Sequence, residues 1–119
     1  PEIKEALGIA PYLPKNTFSC MDDEGIRAAV EASGCNTVLI CGAELHICVL
    51  QTAMDLVAAG KTVAIVEDCV GSRTAHDMQI GLIRAQQEGI LLTTAEAILF
   101  ELQKVGSGPV FKTISKLVK

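Results

Sequence analysis

The chain has 119 residues, with 10 Lys and Arg against 14 Asp and Glu, so its net charge is −4 with both histidines neutral. That length holds one domain, and with 50% hydrophobic residues and a mean hydropathy of +0.39 it is too apolar for a disordered acidic chain. The scattered basic residues exclude a polybasic membrane anchor, disfavour a nucleic-acid surface that tracks phosphates, and leave small neutral substrates open.

Pro1 to Phe18 offers no full strand, because Pro11 and Pro14 interrupt its short apolar piece; a brief edge strand or a lead-in loop is expected. "LPKNTFSCM" then leads into a helix predicted over Asp22 to Ser33, with Asp22 and Asp23 near its positive end and Gly34 closing it. "TVLICG" (Thr37 to Gly42) is a continuous apolar run rich in β-branched residues, and His46 to Gly60 carries helical spacing. "TVAIVEDC" (Thr62 to Cys69) and "ILLTT" (Ile90 to Thr94) repeat the strand half of that unit. Thr74 with Asp77 resembles a cap, and Thr93 with Glu96 matches a capping box for a helix running through Leu102. Gly60 and Gly89 end the helices before the next strands. Beyond a hinge at Gly106 to Pro109, "FKTISKLVK" can form a short helix with Phe111, Ile114 and Leu117 or Val118 on one side.

Strands without polar alternation are buried on both faces, so the expected fold class is α/β: a three-layer αβα sandwich with a mostly parallel sheet. Three strands leave an apolar sheet edge. The chain is therefore expected either to be the C-terminal portion of one larger α/β domain lacking its N-terminal strands, or to have its sheet completed by a second copy.

Five cysteines, an odd number without CxxC pairs, argue against a disulfide framework or zinc site and for a reducing compartment, cytoplasmic or mitochondrial. No metal and no cofactor is expected. No apolar run approaches the roughly 20 residues that cross a bilayer, so no membrane partner is expected.

Ligands of open parallel sheets bind outside the carboxyl ends of the strands. "CGAELHICV" (Cys41 to Val49) occupies that position after the first confident strand. A thiol in a first helical turn is stabilised as thiolate by free backbone N–H groups and aligned peptide dipoles, and the same N–H groups can receive an oxyanion. Cys48 is thus either a nucleophile or a packed cysteine on the helix's buried face. His46 either assists proton transfer or makes a local hydrogen bond; two residues from Cys48, it does not share a helical face with it. Glu44 can contribute a favourable charge at the helix start. Lys15 either favours a nearby thiolate or is solvated, and Asp68, ending the second strand, either contacts a ligand or caps a helix.

"LPKNTFSCM", "CGAELHICVLQTAMDL", "GKTVAIVEDCVGSRTAHDMQIGLIRAQQEGILLTTAEAILFEL" and "FKTISKLVK", in this order, resemble the isochorismatase-like cysteine hydrolase superfamily, in particular its isochorismatase domain-containing branch. The resemblance implies a larger, mainly parallel central sheet between helices and an Asp-Lys-Cys triad. In it Cys48 is the nucleophile, Lys15 the triad lysine, and the N–H groups of Glu44 and Cys48 the oxyanion hole. It also implies a cis peptide at Ala43-Glu44. The family's catalytic Asp lies upstream of the triad lysine and has no counterpart here. Leu45 departs from the small polar residue usual at its position, so Leu45 and Phe18 are expected as apolar pocket residues.

The function implied is a cysteine-dependent hydrolase acting on a small amide-like substrate through an acyl-enzyme intermediate. The alternatives are enol-ether hydrolysis of the isochorismatase type and a noncatalytic oligomerisation or binding subunit. Partners expected are the small-molecule substrate and either a homo-oligomer or an N-terminal segment completing the sheet.

Overall fold

Apolar strands alternating with helices need cover on both faces, and a computed structural model describing residues 1–119 shows helices on both, packed closely on one and thinly on the other. The elements are α1 (Glu2–Leu7), α2 (Glu24–Ala32), β1 (Thr37–Ala43), α3 (Leu50–Ala58), β2 (Thr62–Gly71), α4 (Ala75–Gln87), β3 (Leu91–Thr93), α5 (Ala95–Gln103) and α6 (Pro109–Leu117). The strands form one parallel sheet in the order β1-β2-β3, with β1 at an edge.

Register decides which side chains share a face. Val38 pairs with Val63, and Ile40 with Ile65, on the face covered by α3 and α4. Leu39, Ala64 and Leu91 align on the other face, where they share a groove with Ile98 and Glu101 of α5. Helices therefore lie on both sides of the sheet. The main core joins Leu45, Val49, Leu50, Ala53 and Leu56 to Val63, Ile65, Ala85, Ile90 and Met21. On α3 this buried set recurs every three to four residues, as an amphipathic helix requires. Opposite it, cover is thinner: Leu39 is 42% and Leu91 57% exposed.

Several boundaries depart from the sequence expectations. Of the two expected forms the stretch around Pro11 and Pro14 takes the lead-in loop, but α1 precedes it, because the strong helix formers of "EIKEAL" lie before both prolines and carry Glu2 and Glu5 in the first turn. The helix expected from Asp22 starts at Glu24; Asp23 is its cap, accepting from Ile26 N–H at 2.9 Å. Thr94, not Thr93, caps α5, because Thr93 is still paired with Val66 in the sheet while Thr94 Oγ1 accepts from Ala97 N–H. Asp68 supports the same helix start, its Oδ1 accepting from Ala95 N–H at 2.8 Å. On α6 the buried residue is Ile114; Leu117 is 75% exposed, and Phe111 packs on Phe100 of α5 with ring centroids 5.7 Å apart.

At the start of α4 the expected cap forms reciprocally. Thr74 Oγ1 donates to Asp77 Oδ2 at 2.7 Å and accepts from Asp77 N–H at 3.1 Å. That hydrogen bond, helped by His46, His76 and Arg73, holds the Asp77 carboxyl below its usual pKa. A folded-state pKa below the unfolded one stabilises the fold above the unfolded pKa, about pH 4, and the contribution is lost as pH falls through the folded value. Asp77→Asn should therefore lower stability at neutral pH, and the difference from wild type should shrink in urea titrations below about pH 4. A difference independent of pH would refute this role.

Candidate active site

Beyond Ala43 the chain enters a wide turn, Leu45–Val49, before α3 begins. The Glu44 carbonyl accepts from Ile47 N–H and from Val49 N–H, both at 3.2 Å, and so bypasses Cys48 N–H. The helix expected from His46 is thus preceded by a turn with π-type bonding. In a regular helix residues three apart lie on nearly one side; the wider turn rotates less per residue and separates Leu45 from Cys48. Leu45 is fully buried in the core. Cys48 instead lines a cleft of about 230 Å³ at the carboxyl end of β1. The Ala43-Glu44 peptide is cis, as the resemblance implies.

Lys15, Cys20, Thr52 and residues 40–43 of β1 line the same cleft as Cys48. Lys15 reaches it because the loop before α2 is tied to α3. Ser19 Oγ donates to Asp55 Oδ2 at 2.6 Å, and Cys20 N–H donates to Thr52 Oγ1 at 2.9 Å. Thr52 lies one turn beyond Cys48, so this bond sets the loop above the thiol. Lys15 Nζ donates to the carbonyls of Thr17 at 2.6 Å and Phe18 at 3.0 Å. An ammonium has three N–H donors, so one remains beyond these two.

Two expected pocket residues lie elsewhere. Leu45 is a core residue, because the turn carries its side chain under α4, where Leu45 Cδ2 would lie 3.5 Å from a Cβ built at Gly81. Phe18, 63% exposed, offers its carbonyl to Lys15 and forms no wall of the cleft. Glu44 pairs with Arg73, Nε to Oε1 3.0 Å, and His46 Nδ1 is hydrogen-bonded to Ser72 Oγ at 2.9 Å. His46 is thus engaged in a hydrogen bond, although with the β2–α4 loop and not with its own turn. Cys20, Thr52, Ser72 and Arg73 escaped the sequence reading. The spacing of Thr52 from Cys48, one helical turn, was the available signal for Thr52.

All five cysteines are free thiols. Their surroundings differ: Cys69, although exposed, has its thiol pKa pushed up by desolvation against the sheet and then by Asp68 and Cys41. A raised pKa leaves less thiolate at neutral pH, so Cys69 is a poor nucleophile.

The sequence matches the family described as the isochorismatase domain over residues 1–97. The chain belongs to this family. The isochorismatase domain-containing protein 1 of Salmo salar is 39% identical over 115 residues, which cover 97% of this chain and 41% of that protein. A structure of YcaC from Pseudomonas aeruginosa with hexane-2,5-diol and covalent acrylamide superposes with a TM-score of 0.87 at 26% identity, covering 96% of this chain and 58% of that one. The MAR1 ribonuclease from Caenorhabditis elegans gives a TM-score of 0.77 at 35% identity, over 87% of this chain and 53% of that one. This isochorismatase-family chain thus spans about half the length of the proteins it matches. The family is one of isochorismatase-like hydrolases with an α/β fold, and no helix of this member is long and apolar enough to cross a membrane.

Proposed function

We propose that this chain carries the cysteine and lysine of a hydrolase that cleaves a small amide-like substrate by acyl transfer. The observation that supports the reading best is that Cys48 and Lys15, far apart in sequence, line one cleft at the carboxyl end of the sheet. Cys48 Sγ, its proton passed to a carboxylate, attacks the carbonyl carbon. The developing oxyanion takes hydrogen bonds from the N–H groups of Glu44 and Cys48, and the amine leaves with a proton. Water then cleaves the thioester and releases the acid. The Lys15 ammonium favours the thiolate and the carboxylate that takes its proton.

The proton acceptor in this reading is an aspartate from an N-terminal segment of the full-length protein. That segment also pairs with the free edge of β1, or a second copy covers it, which fits a β1 without a single buried residue and the half-length match to relatives. Covalent acrylamide in the YcaC structure supports a reactive nucleophile in this fold. RNA cleavage draws support from the names of the nematode structure and of two Leishmania structures, those of Leishmania major and Leishmania donovani; the net charge of −4 and 3% aromatic content disfavour a single-strand binding surface.

Acyl transfer and enol-ether hydrolysis separate on one measurement. The full-length protein, quenched during turnover of a small aliphatic amide, should show the mass of the acyl group on the peptide containing Cys48. Amide turnover with no such adduct would reject the acyl-enzyme, whereas turnover of an enol ether but not of the amide would favour protonation with direct water attack.

A further inference from the structure

The loop between β2 and α4 meets the turn before Cys48 at points outside the thiol cleft. Because Ala43 pairs with Gly71 in the parallel ladder, the segments leaving β1 and β2 start side by side. Arg73 Nε donates to Glu44 Oε1 at 3.0 Å, and Ser72 Oγ is hydrogen-bonded to His46 Nδ1 at 2.9 Å. From α4, Gly81 abuts the same turn: a Cβ there would lie 3.3 Å from both Cα and Cβ of His46. The turn is therefore gripped at Glu44 and His46, on either side of the buried Leu45, and backed by helix backbone. Neither Ser72 nor Arg73 lines the cleft.

We infer that Arg73 and Ser72 are positioning residues that hold the Glu44–His46 turn so that the Glu44 N–H stays in register with the thiol of Cys48, an inference that rests on the acyl-transfer reading above. Stability alone is a weak reason for the Arg73–Glu44 pair, since the Arg73 side chain is 74% exposed and pairs of that kind add little. Position is a strong one. An oxyanion donor acts only within about 2.7–3.1 Å of the developing charge, and a displacement of about 1 Å can cost on the order of a hundredfold in rate. Fixing the Glu44 carboxylate and the adjoining imidazole limits rotation of the residue whose N–H is the donor.

Two reactions of the same thiol test this in the full-length protein. With p-nitrophenyl acetate, Sγ bonds to the carbonyl carbon, an oxyanion forms and collapses, p-nitrophenolate leaves, and water later releases acetate. With iodoacetamide, Sγ displaces iodide from a saturated carbon and no oxyanion forms. R73Q and S72A should each slow acylation roughly tenfold while leaving alkylation of Cys48 within about twofold of wild type. R73K, which keeps the charge but not the planar fork, should recover part of the loss. Parallel loss of both reactions would mark a general structural role and overturn the inference, as would acylation at the wild-type rate. C48A keeps the two readings apart. Acylation that persists in C48A would remove the nucleophile assignment, whereas loss in C48A with wild-type rates in R73Q and S72A would remove only the positioning role.

Discussion

Cys48→Ala in the full-length protein should lower turnover by roughly a thousandfold or more, because a nucleophile's loss leaves only the residual effect of binding and oxyanion contacts. Folding should survive: Cys48 is half-buried at the cleft wall, outside the buried core, so its sulfur contributes modestly to packing. Cys35→Ala is the matched control, an exposed thiol before the amino end of β1, and should leave turnover unchanged. Cys48→Ser should fall nearly as far as alanine, since a hydroxyl needs a stronger base than a thiol to become nucleophilic. Steady-state rates on a small amide with thermal unfolding in parallel decide the matter; wild-type turnover in Cys48→Ala would end the cysteine mechanism.

The second large effect is on stability. Leu45→Ala should cost about 2–5 kcal/mol, because the side chain is fully buried among α3, α4 and the sheet and its removal leaves a cavity. Domains of this kind hold only about 5–15 kcal/mol in total. Leu45→Met, which conserves volume, should cost less than about 1.5 kcal/mol. Urea unfolding monitored by far-UV circular dichroism measures both. A loss below about 1 kcal/mol for Leu45→Ala would show that the site collapses around the void or that Leu45 is not a core anchor. The substitution should also reduce activity in the fraction that remains folded, since Leu45 adjoins the Glu44 N–H and packs beside Gly81.

The alternation of strands and helices was legible because it depends on local chemistry. Apolar β-branched runs such as "TVLICG" and "TVAIVE" do form strands, although only the central β2 is buried on both faces, at Val63 to Val66, whereas edge strand β1 has no buried residue; Gly60 and Gly89 sit at positive φ of 86° and 82°, where glycine is unstrained. Lys15 and Cys48 were legible as candidates through their motifs. Other features were not. Thr93 and Thr94 are chemically equivalent caps, and only the pairing of Thr93 with Val66 assigns the role to its neighbour. Glu44 drew notice for its charge, but its partner Arg73 becomes adjacent only through the pairing of Ala43 with Gly71. The prolines at 11 and 14 obscured the short helix ahead of them.

By itself the amino-acid sequence determined the class of fold, the strand and helix order from Asn36 onward, and the presence of a thiol near a helix start, since each follows from periodicity and propensity along the chain. The tertiary structure decided that Leu45 faces the core while Cys48 faces the cleft, that Phe18 stands outside it, and that the Ser19–Asp55 and Cys20–Thr52 bonds set the Lys15 loop over α3. Those outcomes turn on a widened turn and on contacts between segments remote in sequence. Their energies come from packing and hydrogen bonds that exist only once the chain has closed on itself.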